Sequence, residues 1–191
     1  LCKEKPAVGG DTMWANLTLA YETLSPKMQS IIADMEAVHD VTLVRGIFAR
    51  DPALVADMRR RNPPVVHPAV RVHPESGKRA LYVNDRVRTF VGMSDAESKP
   101  LIKFLCEHSQ QPRFVYRHRW EVRDLVLWDN RCLTHLAVGD YDPSEVRHMI
   151  RTSTMGDYYG RFEHPETAQA AQKAAAASSK EAVAAASMLN D

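Results

Sequence analysis

The sequence predicts a mainly β domain with helical insertions, of β-sandwich or jelly-roll type. Three observations carry that prediction. Strand-like runs at 65–72, 79–84, 113–120, 124–128 and 146–154 are separated by turn residues. The helical signals sit in their own stretches rather than alternating one for one with strands, which argues against a parallel sheet built from βαβ units. At 191 residues, with 45% hydrophobic and 26% charged side chains, the chain can bury one substantial core and is short for two.

Element by element, the reading runs as follows. Two helices are predicted between Thr12 and Asp40, the first over 13–24. Ser25-Pro26 supplies an N-cap and a first-turn proline for the second, whose Met28, Ile31, Ile32 and Met35 recur at helical spacing as a core-facing stripe. Asp51-Pro52 opens a short helix that ends in Arg59-Arg60-Arg61, a solvated end favoured by the helix dipole and assigned no site. The runs 65–72 and 79–84 flank the turn His73-Pro74-Glu75-Ser76-Gly77-Lys78, a hairpin signal. Ser94 and Glu97 form a capping box for a helix with Leu101, Phe104 and Leu105 inward, interrupted at Pro100. Three further strands, 113–120, 124–128 and 146–154, follow Gln111-Pro112. Residues 165–191 are dominated by alanine, with high helix propensity and little to bury, and read as a helical or flexible tail outside a domain at 1–164.

Composition excludes several function classes. A net charge of +1, from 25 basic and 24 acidic residues, provides no global field for nucleic acid or an anionic membrane, so neither is expected as a partner. No apolar run approaches the roughly 20 residues that span a bilayer, and the opening residues lack the apolar stretch of a signal peptide. Cys2, Cys106 and Cys132 are odd in number and without metal-ligand spacing, which fits a soluble protein of the reducing cytoplasm.

Eight histidines offer candidate ligands. His39 beside Asp40 reads as a helix-end cap. His73-Pro74-Glu75 and His164-Pro165-Glu166 match the letters H-x-E in turn-like contexts, and His118 lies on a strand facing either core or solvent. The informative stretch is Trp128-Asp129-Asn130-Arg131 with His135, followed by Arg147-His148-Met149-Ile150-Arg151. On a strand, residues 147, 149 and 151 share a face, so Arg147 and Arg151 project guanidiniums together with Met149 between them. Two fixed cations turned inward call for anions, because an unpaired buried charge is strongly unfavourable; the alternative is two surface arginines on an edge strand. Gly9-Gly10-Asp11-Thr12 places a hydroxyl and backbone N–H groups at the start of the first helix, where a turn and cap compete with an anion site.

Together these segments resemble the iron(II) and 2-oxoglutarate dependent dioxygenases of the taurine dioxygenase and 2,4-dichlorophenoxyacetate dioxygenase group. The resemblance rests on five motifs in family order across roughly 9–157. They are Gly9-Gly10-Asp11-Thr12-Met13-Trp14, the run from Val70 through His73-Pro74-Glu75-Ser76-Gly77-Lys78, Phe114 with Tyr116-Arg117-His118-Arg119-Trp120, Trp128-Asp129-Asn130-Arg131 with His135, and the Arg147 and Arg151 pair. It implies a double-stranded β-helix with iron held by two histidines and a carboxylate. It implies His135 as the distal iron histidine, Arg147 and Thr12 as partners of the far carboxylate of 2-oxoglutarate, and Arg151 as partner of the anionic group of the substrate. The implied activity is hydroxylation of a small anionic substrate with molecular oxygen, releasing succinate and CO2. The substrate would be a sulfonate such as taurine, a sulfate ester, or an aryloxy or alkyl carboxylate, and the implied assembly is a homo-oligomer. In the family the first histidine and the carboxylate form an H-x-D motif upstream of Gly-Gly-Asp-Thr, and the eight residues before Gly9 contain neither His nor Asp. The expectation is therefore a C-terminal portion of the fold, lacking its N-terminal part; the alternative is an anion-binding β-sandwich module without iron.

Overall fold

A computed structural model of the chain describes residues 1–43, 51–154 and 160–164. In chain order the elements are β1 (Cys2–Glu4), β2 (Thr12–Asn16), α1 (Leu17–Glu22), α2 (Pro26–Ile32), β3 (Glu36–His39), α3 (Pro52–Arg61), β4 (Val65–Pro68), β5 (Val70–Val72) and β6 (Arg79–Leu81). They continue with β7 (Val87–Phe90), α4 (Asp95–Ser109), β8 (Val115–His118), β9 (Leu133–Ala137), β10 (His148–Met149) and β11 (Arg161–Phe162). The architecture is mainly β with some helices, and every strand pairing is antiparallel. No helix among the described residues is long and apolar enough to cross a membrane. The described residues form two compact units, 1–34, 69–82 and 103–154 in one, and 35–43, 51–68, 83–102 and 160–164 in the other.

The first unit is built on the three-stranded sheet β8-β2-β9. Residues 13–24 were expected as one helix, but the chain divides them at Asn16. Thr12, Met13 and Trp14 bond to a strand on each side, where a β-branched and an aromatic side chain fit the pleat. The Asn16 side chain then accepts from the N–H groups of Thr18 and Leu19 at 3.0 Å each, which starts α1. Trp14 lies opposite both Tyr116 and His135, and Thr12 opposite His118, so these side chains share one face of the sheet. That face carries a core of Cys2, Trp14 and Trp120, with Val126, Trp128, Leu133 and Met149 packed against it. The expected hairpin of 65–72 with 79–84 forms only between β5 and β6, because the chain divides at Ala69 and β4 pairs instead with β3; α1 packs on β6. β10 is shorter than the expected 146–154 because only His148 and Met149 find partners in β1. Among the described residues the expected strand at 124–128 joins no sheet, although the Asp124 carbonyl accepts from the Cys2 N–H at 2.9 Å. Its alternation survives: Val126 and Trp128 turn inward, while Leu125 and Leu127 are exposed at 69% and 83%.

The second unit holds the four-stranded sheet β11-β4-β3-β7. Here β3 replaces the C-terminal end of the second predicted helix: α2 stops at Ile32, and Ala37 and Val38 are buried between two neighbouring strands. His39 is therefore a buried strand residue and not a helix cap. Arg59, expected to be solvated, donates to the fully buried Asp40 at 2.9 Å. Burial alone would raise the Asp40 pKa, but the Thr42 hydroxyl and N–H, with Arg59, hold it below the ordinary value. α4 begins at the predicted Ser94/Glu97 box and runs through Pro100 unbroken. From Lys103 onward α4 belongs to the first unit, where Leu105 is fully buried and Phe104, 46% exposed, stacks on His108. The alanine-rich segment 165–191 lies outside the described residues.

Candidate functional site

The site is assembled on one face of the β8-β2-β9 sheet, starting from the two glycines before β2. Gly9 and Gly10 have φ of 79° and 70°, a left-handed conformation open to glycine at little cost. The turn is also crowded. A Cβ on Gly9 would lie 2.6 Å from the Asp140 carbonyl oxygen, and one on Gly10 would lie 3.2 Å from Cδ of Arg147. The Gly10 N–H donates to Asp140 Oδ1 at 2.9 Å. Arg117 Nε donates to Asp11 Oδ2 at 2.7 Å, and its Nη2 to Asp140 Oδ2 at 2.8 Å. These bonds clip the turn to the segment after β9. The Gly10 N–H, and then Arg117, hold the Asp140 carboxyl below its ordinary pKa.

This turn delivers Thr12 to the first position of β2, a strand start where the sequence suggested a helix start. The helix-terminus argument for an anion therefore falls away, while the hydroxyl remains. Arg147 Nε donates to the Gly10 carbonyl at 2.7 Å and its Nη2 to Thr12 Oγ1 at 3.1 Å, using two of its five N–H groups. Trp120 Nε1 donates to the same Oγ1 at 2.9 Å.

The alternation expected along 147–151 is present from 147 to 150, and Arg151, expected on the inward face, is exposed. Arg147 and Met149 are half-buried, with Val146, His148 and Ile150 exposed between and beside them. Met149 joins the tryptophan core, and Arg151 Nη1 reaches to 3.4 Å from His135 Nε2. A guanidinium can only donate, so this imidazole nitrogen turns its lone pair toward Arg151. Trp128 packs against the His135 ring at 5.3 Å between centroids. Thr12, Arg147, His135 and Arg151 thus gather around one face. Among the described residues neither Arg147 nor Arg151 forms an ion pair, in contrast to Arg117 and Arg131. On the same face a groove of about 420 Å³ is lined by Trp14, Asn16, Phe114, Tyr116, Trp128 and Leu133.

One imidazole does not make a metal centre. Among the described residues the one cluster of three ligand-type side chains is elsewhere: His73, Asp129 and Cys132, whose donor atoms lie within 4.8 Å of one another. Its charge is already balanced. Arg131 donates to both Asp129 oxygens, at 2.6 Å for Nη2 and 2.9 Å for Nε, and reaches Glu75 through Nη1 at 2.9 Å. His73 Nε2 is hydrogen-bonded to Asp129 at 2.9 Å. Arg131, and then burial offset by His73, leaves the Asp129 carboxyl far below its usual range, while burial raises the Cys132 thiol. The H-x-E letters at 73–75 therefore mark an ion-pair hub that fastens the hairpin turn to the loop entering β9. His164 is exposed in the other unit, and His118 is hydrogen-bonded to Asp124 at 3.0 Å. Asp11, Arg117, Asp140 and Trp120 were not anticipated in the site, because each acts through a partner distant in sequence.

Residues 1–153 match the family described as taurine catabolism dioxygenase TauD, TfdA family. The chain belongs to the TauD/TfdA family. It is 38% identical over 152 residues to an alpha-ketoglutarate-dependent 2,4-dichlorophenoxyacetate dioxygenase of Cupriavidus pinatubonensis, covering 80% of this chain and 52% of that protein. It is 39% identical over 160 residues to an alpha-ketoglutarate-dependent sulfate ester dioxygenase of Pseudomonas putida, with coverage of 80% and 52%. Among solved structures it resembles AAD-2 in complex with Mn(II) and N-oxalylglycine, with a TM-score of 0.69, 31% identity and coverage of 77% and 57%. It also resembles a taurine dioxygenase from Burkholderia xenovorans, with a TM-score of 0.61, 36% identity and coverage of 73% and 45%. The chain spans about half the length of the curated relatives it matches.

Proposed function

We propose that this TauD/TfdA chain provides the co-substrate half, one metal ligand and an anion receptor of an iron(II) and 2-oxoglutarate dependent dioxygenase. The observation that carries this reading is the pair of in-phase guanidiniums, Arg147 and Arg151, whose hydrogen-bond acceptors are neutral: a carbonyl, a hydroxyl and an imidazole nitrogen. A cation held by neutral acceptors on a tryptophan-walled face is ready for an anionic ligand. The five-carbon dicarboxylate 2-oxoglutarate would place its far carboxylate on Arg147 and the Thr12 hydroxyl. Arg151 would receive a sulfonate, sulfate or carboxylate of the primary substrate. The relatives' names span aryloxy carboxylates and sulfate esters, which share an acidic group and differ in the rest.

We assign His135 to one position of a facial iron site, since its Nε2 presents a lone pair on the face that holds Thr12, 3.4 Å from Arg151 Nη1. The remaining ligands are not supplied by a cluster around His135 among the described residues. Iron bound there would activate oxygen for hydroxylation coupled to decarboxylation of 2-oxoglutarate to succinate. This chain's residues do the placing: Arg147 and Thr12 fix one acid, Arg151 the other, and Trp14, Trp128 and Met149 keep water from the face between them. We infer further that these strands belong to a double-stranded β-helix and that the domain ends near 164. The solved relatives, and the end of the family match at 153, support that reading. Succinate release from the intact polypeptide, supplied with iron(II), 2-oxoglutarate and a panel of sulfonates, sulfate esters and aryloxy acids, tests the proposal. At least one panel member should raise succinate well above background; silence across all three classes would overturn it.

A further inference from the structure

We propose that Trp120 is a positioning residue of the co-substrate site, which fixes the direction in which the Thr12 hydroxyl gives its proton. The inference rests on the assignment of Thr12 and Arg147 to the far carboxylate of 2-oxoglutarate, and it adds a residue that does not itself touch that ligand. Trp120 is only 7% exposed and Thr12 only 5%, so their bond is made away from bulk water. The indole Nε1–H donates to Thr12 Oγ1 at 2.9 Å, and Arg147 Nη2 donates to the same oxygen at 3.1 Å.

A threonine hydroxyl has one proton and two lone pairs, whereas an indole N–H and a guanidinium can only donate. Two donors on Oγ1 occupy its lone pairs, and the hydroxyl proton is turned away from both. An unconstrained threonine hydroxyl rotates to suit its neighbours and can accept as readily as give. Here it is set to give, and the group it suits is one that only accepts, an ionised carboxylate. The cost of orienting the hydroxyl is met by the protein before the ligand arrives, which is the general basis of preorganised recognition. Trp120 is itself held in the core with Cys2 and Trp14, and its ring lies 4.7 Å from that of His118, so the indole has little freedom to follow the hydroxyl.

The test is a double-mutant cycle on the intact polypeptide, read by calorimetric titration with 2-oxoglutarate in the presence of Mn(II), with no turnover required. Trp120→Phe removes the N–H and keeps an aromatic ring; it should weaken 2-oxoglutarate binding roughly 5- to 10-fold, the scale of one buried hydrogen bond. Thr12→Val should weaken it by a similar or larger factor, and in the Thr12→Val background the Trp120→Phe change should have almost no further effect. Multiplication of the two losses would show that Trp120 acts by packing alone, and wild-type affinity in Trp120→Phe would show that it does nothing; either result overturns the inference. If Arg147→Ala and Thr12→Val both bind 2-oxoglutarate as the wild type does, the assignment of the site fails instead. Should Trp120→Phe not fold, the indole N–H resonance of the 15N-labelled wild type decides. Slow solvent exchange with a shift on adding 2-oxoglutarate, the shift disappearing in Thr12→Val, supports the role. Fast exchange or indifference to the ligand refutes it.

Discussion

Arg147 and Arg151 stand on the same face of one extended segment, four residues apart, yet they are held in different ways. Arg147 is half-buried and fixed by two hydrogen bonds to a turn that is itself clipped by Asp140 and Arg117. Arg151 is exposed and makes a long approach of 3.4 Å to His135. The difference teaches which part of the site is finished within this chain. Under the proposed reading, the Arg147 side would be a rigid receptor for 2-oxoglutarate, and the Arg151 side would keep the freedom to meet acids of different shape.

The largest expected effect breaks the fixed side. Arg147→Ala should reduce 2-oxoglutarate affinity roughly 100-fold, the scale of losing a charge-assisted pair, as measured by calorimetry. A loss no greater than that of Arg151→Ala would erase the contrast. Gly9→Ala comes next. Its φ of 79° and the 2.6 Å approach to the Asp140 carbonyl should cost about 1–3 kcal/mol in chemical denaturation and weaken 2-oxoglutarate more than substrate. Arg151→Ala should raise the KM for the anionic substrate roughly 10-fold and leave 2-oxoglutarate binding within about twofold, with Arg151→Lys recovering part of the loss. Equal losses of both ligands would contradict the division of roles.

The smallest effect is on pH. Asp129, beside Arg131, and Asp140, beside the Gly10 N–H, both have folded pKa values below their unfolded ones. Their contribution to stability is therefore present above about pH 4 and fades as pH falls through the folded values. Unfolding free energies measured at pH 7 and pH 5 should show no loss from these two groups. Below pH 4 stability should fall, less steeply in Asp129→Asn.

Much of this site was legible in the sequence because its parts are local. The two-residue spacing of Arg147, Met149 and Arg151 survives folding whether or not a full strand forms, and Asn130 and Asp129 mark the turn that precedes His135. What was not legible depends on pairings across the chain. Thr12-Met13-Trp14 reads as helix in isolation and becomes strand because β8 and β9 bond to it from more than 100 residues away. The bond of Trp120 to Thr12 spans 108 residues, and that of Arg117 to Asp11 spans 106; neither leaves a local mark. At 124–128 the inverse holds, since the alternation is correct but no strand among the described residues pairs with it.

The period of two along 147–151 makes the site sensitive to spacing as well as to chemistry. Removing a single amino acid between Asp140 and Arg147 would leave the composition almost untouched, yet it would rotate His148 and Ile150 toward the tryptophans and turn Arg147 away from Gly10 and Thr12. Loop-length variation among proteins of this design should therefore be tolerated before Asp140 or after Arg151, and accepted between them only where the inward parity of the arginines is restored.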